Sequence, residues 1–209
     1  MPAAFDFTKE YKDLYLPGTT PALCEVPAIL FILVDGTGAP EDAAYQNAVG
    51  VLYALAYSIK MSRMGSLAID GYFDYKMPPL ESLWDGYTFD AGNSRHTWHW
   101  TAMLRQPPFV TDEVFRWALG QAAAKKPELD VSAARLETWE EGLCVQTLHK
   151  GPYAQEPETL AKMDAYIREN SLENDIGPAR RHHEIYLSNP QRAKPENLKT
   201  VLRCPVRRV

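Results

Sequence analysis

The apolar residues of this chain fall into two alternating patterns: continuous runs, and stretches spaced by three and four. Residues 28–34, AILFILV, are a continuous run and predict a buried strand. Asp35, Gly36, Thr37 and Gly38 end it. Pro40, Glu41 and Asp42 then set a proline and two acids at the start of a helix, where the dipole is positive. Tyr45, Val49, Leu52, Ala56 and Ile59 form one apolar face of that helix. Gly65 breaks the pattern. Residues 67–76, LAIDGYFDYK, predict a strand stopped by Pro78 and Pro79. A polar, glycine-containing stretch with Trp84 and Tyr87 follows. Residues 97–105, TWHWTAMLR, predict the next strand, closed by Pro107 and Pro108.

Thr111, followed by Asp112 and Glu113, is a candidate N-cap for a helix with Val114, Phe115, Ala118, Leu119 and Ala122 on its apolar face. The first pattern then returns. Residues 143–149, LCVQTLH, predict a strand, and Lys150, Gly151 and Pro152 a turn. Pro157 and Glu158 open a helix bearing Leu160, Met163 and Ile167. Residues 182–188 and 198–203 predict two more strands, the second ended by Pro205. Strand-helix-strand-strand thus occurs twice around a connecting helix. The expected fold is α+β, with duplicated modules forming a curved antiparallel sheet and a central ligand cleft at their junction. Residues 1–20 read as a lead-in to a single domain over 21–209. Its halves lie at about 21–107 and 134–205, joined by a helix at about 111–126.

Composition narrows the class. The 209 residues are 45% apolar and 23% charged, which excludes a disordered chain. A net charge of −5 gives no overall positive field for nucleic acid. No apolar run approaches the roughly 20 residues that span a bilayer. The start, MPAAFDFTKEYKD, lacks a signal-peptide core. Cys24, Cys144 and Cys204 form no CxxC pair, so neither a zinc site nor a disulfide framework is expected. These features predict a soluble, reduced, cytoplasmic protein. Aromatic residues make up 11% and many sit beside polar ones, which fits either core filling or a pocket for flat ligands.

The candidate chemistry centres on residues 182–188. Alternation puts His183, Ile185 and Leu187 on one face and His182, Glu184, Tyr186 and Ser188 on the other. The Ile/Leu face is expected to meet the helices. The other presents a carboxylate between a histidine and a tyrosine. In an apolar cleft that carboxylate is partly desolvated, its pKa is expected to rise, and it can pair with a cation or take a proton from water. On an exposed face it would instead sit in water or pair with Arg180 or Arg181. A metal site is not expected, because His182 and Glu184 are too few ligands and no HExxH supports them. Ser58, Ser62 and Ser66 lack a GxSxG context, and GTG at 36–38 lacks the third glycine and downstream acid of a dinucleotide site.

The stretches TTPALCEVPAILFILVDGTGAP, YFDYKMPPLESLW, WTAMLRQPPFVT, EEGLCVQTLHKGPY and RRHHEIYLSNP resemble the GyrI-like small-molecule-binding family. The family is named for a gyrase-inhibitory protein and is related to effector domains of multidrug-responsive regulators. The resemblance spans roughly Thr19 to Pro205; RRHHEIYLSNP is its most specific part and HxGPY a less specific one. It implies the duplicated fold, a ligand glutamate at Glu184 and a family tyrosine at Tyr153. Tyr72, Tyr75, Trp84, Trp100, His182 and Tyr186 are the other candidate ligand-binding residues. Tyr72 and Tyr75 fall on opposite faces of a regular strand, and Trp98 and Trp100 share a parity, so one tryptophan of that pair suits the core.

Stand-alone members similar to this chain are implied to be cyclopropanoid cyclopropyl hydrolases, which open the strained ring of DNA-alkylating natural products with a glutamate and aromatic helpers. No cofactor or metal is implied. The implied partner is a flat aromatic ligand, neutral or cationic, with no direct nucleic acid and no membrane. A non-catalytic drug-binding module and a gyrase-interacting protein are the competing readings. Ser82, where glycine is expected, and the lack of a second tryptophan after Trp84 are departures at the pocket rim.

Overall fold

A computed structural model of the chain describes residues 3–64, 67–85, 98–190 and 192–209. Gly65, Ser66, Tyr87 and Thr97, named above, lie outside these residues. In chain order the elements are α1 (Phe7–Glu10), α2 (Lys12–Tyr15), β1 (Ala22–Val26), β2 (Ile29–Thr37), α3 (Ala43–Lys60), β3 (Leu80–Trp84) and β4 (His99–Arg105). There follow α4 (Asp112–Lys125), β5 (Ala134–Trp139), β6 (Gly142–Lys150), α5 (Glu156–Glu169), β7 (Leu172–Asn174), β8 (His182–Tyr186) and β9 (Lys199–Arg208). The fold is α+β with antiparallel strand ladders. The order strand-helix-strand-strand recurs as β2-α3-β3-β4 and, with the short β7 inserted, as β6-α5-β8-β9.

The chain divides into two compact units, each drawn from separate stretches of sequence. The first comprises residues 1–10, 29–78 and 94–139. Here β2 pairs with β4 on one side and β5 on the other, and α3 packs on β2, β4 and α4. The apolar run of β2 is buried because it lies between two strands beneath a helix. Thr111 caps α4, its side chain accepting from the Val114 N–H, as its position in the sequence suggests. Gly36 lies opposite Trp100, and a Cβ there would collide with the indole. The indole therefore lies flat over the glycine, with Tyr45 edge-on at 5.1 Å. At Gly38, whose φ is +111°, the Asp42 carboxylate occupies the loop and accepts from the Ala39 N–H at 2.8 Å. The protein's own carboxylate thus takes the donor that a dinucleotide phosphate would need.

Residues 67–76 do not form the expected strand. Gly71 has φ +70°, and Asp70 and Asp74 are poor strand residues. The backbone hydrogen bonds go instead to Phe5, which donates to the Asp74 carbonyl at 2.8 Å and accepts from the Lys76 N–H at 2.7 Å. Tyr75 is fully buried beside Phe7, Phe73 and Phe109, and Tyr72 donates to the Lys60 carbonyl at 2.6 Å. The strand lies further on, at β3, in the stretch read as polar and irregular.

The second unit comprises residues 11–28, 79–93 and 140–209. Its strands run β1-β6-β9-β8-β3, with β7 paired to the end of β9. Pro205 does not end β9: it falls between the stretch paired with β8, Thr200–Arg203, and that paired with β7, Val206–Arg208. A residue without an N–H is tolerated at such a gap. One face of this sheet is apolar: Val145, Leu202, Cys204 and Val206 pack on Leu160, Met163 and Ile167 of α5.

The opposite face is ionic and just as buried. Arg203 donates to Glu141 Oε2 at 2.9 Å, to Gln146 Oε1 at 3.0 Å and to the Leu14 carbonyl at 2.8 Å. His183 Nδ1 lies 3.0 Å from the same Glu141 oxygen and Nε2 3.0 Å from Glu81 Oε2. Tyr15 donates to Glu81 Oε1 at 3.0 Å, and Gln146 donates to the Asp13 carbonyl. Two carboxylates, a guanidinium and an imidazolium so placed carry no net charge. Burial opposes the Glu141 charge, but His183 and Arg203 outweigh it and hold the carboxyl at about 2. Burial likewise opposes charging His183, and Glu141 and Glu81 outweigh it, raising its pKa.

Removing one member strands the others. Arg203→Met is expected to lower the free energy of unfolding by ~3–5 kcal/mol, read from urea titrations at pH 7. Glu141 contributes stability above its ordinary 4.5 that is lost as pH falls toward about 2. The variant should therefore also unfold at a higher pH than the native chain during acid titration.

Candidate functional site

On β8, His182, Glu184 and Tyr186 share the face that α5 covers. Glu184 lies opposite Ser82 of β3 on one side and Leu202 of β9 on the other, and Leu202 packs against α5. The sequence reading expected the Ile185 face to meet the helices. Here the apolar residues under α5 come from β6 and β9, which β8 alone does not reveal. The Ile185 face, with His183, belongs to the ionic layer.

The site is built from a short relay. Trp84 Nε1 donates to the Tyr186 hydroxyl oxygen at 3.1 Å, and Tyr186 donates to Glu184 Oε2 at 2.7 Å. His182 Nε2 lies 3.5 Å from Glu184 Oε1, and its Nδ1 3.5 Å from Cys204 Sγ. Burial pushes the pKa of His182 down, so the imidazole is neutral at pH 7. The Tyr153 ring stands edge-on to Tyr186 with centroids 6.3 Å apart. Glu184 is 12% exposed and Tyr153 38%, so the cluster reaches solvent beside Tyr153. Burial first, then the charges of Glu184 and Glu156, push the Tyr153 hydroxyl up to about 12. It is a hydrogen-bond donor at any physiological pH.

Glu156, the first residue of α5, completes the cluster and was not singled out in the sequence. It is 8% exposed, and its Oε1 has no hydrogen-bond partner among the described residues. Burial, then the neighbouring charge of Glu184, push its pKa up to about 9, so it holds a proton at neutral pH. Its signal is spacing: Glu156 follows Tyr153 by three residues, one helical turn. The turn carrying both is pinned by His149. Its Nε2 lies 3.2 Å from the Pro152 carbonyl and its Nδ1 2.8 Å from the Thr159 hydroxyl. A carbonyl can only accept, so Nε2 carries a proton and donates it to Pro152. Gly151, with φ +128°, makes the turn possible.

The structure gathers Glu184, His182, Tyr186, Trp84 and Tyr153 in the second unit, while Tyr72, Tyr75 and Trp100 belong to the first. Arg180 is taken by Asp175 and the carbonyls of Glu141 and Leu143, and Arg181 pairs with Asp85. Among the described residues no group of three or more histidine, cysteine or acidic side chains is arranged to hold a metal ion. No described helix is long and apolar enough to cross a membrane.

The fold is α+β, and Glu184 of β8 sits among aromatic rings on the face that α5 covers. The chain belongs to the GyrI-like small-molecule-binding family, whose domain matches residues 19–207. A hydrolase from Listeria innocua is 47% identical over 97% of this chain and 100% of its own, with a TM-score of 0.90. An uncharacterized conserved protein from Listeria innocua is 48% identical over 97% of this chain and 100% of its own, with a TM-score of 0.92. The C-terminal domain of EcmrR shares the fold alone, at 11% identity over 91% of this chain and 98% of its own, with a TM-score of 0.55. No curated protein matches the chain.

Glu156 makes stability depend on pH. Its folded-state value is raised above 4.5, so its contribution is full below 4.5 and is lost as pH rises toward about 9. Glu156→Gln removes that loss. The variant should gain on the order of 4–5 kcal/mol over the native chain at pH 8 relative to the difference at pH 4, measured by thermal unfolding at both values.

Proposed function

We propose that the chain binds flat hydrophobic molecules at the Glu184 cluster and hydrolyses the cyclopropane ring of DNA-alkylating cyclopropanoids, detoxifying them. The observation that carries this reading is the Trp84–Tyr186–Glu184 relay, which fixes one carboxylate oxygen by a short hydrogen bond beside exposed aromatic surface. The relatives named hydrolases at 47% identity support a hydrolytic outcome.

The chemistry follows from the groups present. A spiro-cyclopropane joined to a dienone is attacked by water at the ring CH2. The ring C–C bond breaks, and its electron pair passes through the conjugated system to the carbonyl oxygen, leaving a phenolate. Glu184 takes the proton of the attacking water. Tyr153, protonated and near the solvent edge, donates to the developing oxyanion. Tyr153 and Tyr186 offer ring surface that orients a planar substrate, with Trp84 buried behind them. Glu156, holding its proton, adds no second negative charge to repel the phenolate.

Glu184→Gln keeps the shape of the side chain and removes the base. It should bind a neutral cyclopropanoid but hydrolyse it about 10²–10⁴-fold more slowly, followed by the loss of the dienone absorbance. Full activity in this variant would end the general-base assignment. No turnover by the native chain would leave a binding module in place of an enzyme.

A further inference from the structure

β5 is an edge strand of the first unit. It pairs with β2 and, among the described residues, with no other strand. Which of its backbone groups face outward follows from the ladder on the far side of β2. The Gln106 N–H donates to the Leu30 carbonyl at 2.8 Å, and the Gly38 N–H to the Trp98 carbonyl at 2.8 Å. Both bonds continue the β2–β4 register, so the even-numbered residues of β2 turn their backbone groups to β4 and the odd-numbered ones to β5. Phe31 and Leu33 therefore bond Glu137 and Arg135. Ala134, Leu136 and Thr138 point their backbone groups away from the sheet. The Ala134 N–H is taken by the Val131 carbonyl, and its own carbonyl is left.

The side chains of this edge are complementary to themselves. Arg135 and Glu137 share one face, 42% and 47% exposed, with Nε 2.9 Å from Oε2. Asp35 of β2 holds the same guanidinium from within the unit. Leu136 lies half-buried on the other face, and Thr138 is exposed. Charges of one sign would blunt an open edge. Opposite signs two residues apart favour one antiparallel register and oppose its neighbours.

We propose that β5 pairs with β5 of a second copy of this chain, antiparallel about a twofold axis through Leu136. Leu136 then exchanges N–H and C=O bonds with Leu136 of the second copy, and each Thr138 N–H meets an Ala134 carbonyl. Arg135 falls opposite Glu137 on both sides of the axis, at the non-hydrogen-bonded positions where cross-strand side chains come closest. Sliding the pair by two residues sets Arg135 against Arg135 in one direction and Glu137 against Glu137 in the other. The contact is isologous and closes at two copies. A six-residue edge is at the small end of specific interfaces, so the dimer dissociates on dilution.

Sedimentation equilibrium of the full chain between about 10 µM and 1 mM should show monomer and dimer in exchange. Thr138→Pro removes an outward N–H and sets a ring against the second copy, while the bonds to β2 stay in place. It should weaken the dimer by at least about tenfold without changing the thermal unfolding of the monomer. Arg135→Glu and Glu137→Arg each oppose like charges across the axis, and each alone should stay monomeric. Mixed in equal amounts they oppose unlike charges on both sides and should form a heterodimer.

A native chain that stays monomeric throughout would overturn the proposal. So would a dimer that Thr138→Pro leaves unchanged, single charge variants that still dimerise alone, or a mixture of them that does not. Growth beyond two copies would mark pairing of unlike edges and overturn the twofold arrangement. The candidate ligand site belongs to the second unit, so each of these outcomes leaves it standing.

Discussion

The buried ion-pair chain from Arg203 through Glu141 and His183 to Glu81 is the constraint on which the candidate site depends. Successive strand residues point to opposite faces, so whatever holds His183 in the ionic layer also directs Glu184 to the α5 side. A slip of one residue in β8 would bury Glu184 against Glu81 and Glu141 and leave Arg203 without His183 as its companion. Three carboxyls sharing the single guanidinium of Arg203 make that register prohibitive. The network also reaches the α2 segment through Tyr15, Leu14 and Asp13, so it ties the chain before β1 to the sheet.

The two faces of β8 show two uses of buried charge. On one, every carboxylate has a cation within 3.0 Å, and the result is rigidity. On the other, two carboxyls share a cluster in which no described lysine or arginine takes part, and one responds by keeping its proton. The first arrangement is complete in itself. The second is complete only with something added, which is the physical reason to look for a ligand there.

Much of the fold was legible in the residues. The runs at 28–34, 97–105, 143–149 and 182–188 mark strands because they are apolar or alternate cleanly, and α3, α4 and α5 announce themselves by apolar spacing, α4 also by its cap. The failures have specific causes. LAIDGYFDYK has strand-like aromatics, but Gly71 turns left-handed and Phe5, far away in sequence, takes its hydrogen bonds. LESLW looked irregular because Glu81 and Ser82 are polar, and both are buried by partners on β8. Glu184, Tyr186 and Tyr153 could be named from the chain. Glu156 could not, since its protonation depends on burial and on Glu184, neither of which a single stretch of sequence contains.

The position of β9 between β6 and β8 bears on how the chain comes to be folded at all. It is the last strand of its sheet to leave the ribosome, yet the other strands close around it. Until it arrives, β6 and β8 carry open edges, and the α5 face lacks Leu202, Cys204 and Val206. Arg203 travels on the same strand, so Glu141 waits for its counter-charge as long as the hydrophobic layer waits for its middle. Such long-range pairing slows folding, because chain entropy must be lost before any contact offsets it. A nascent chain stalled before residue 199 would hold most of the parts of the site and none of the strand that joins them.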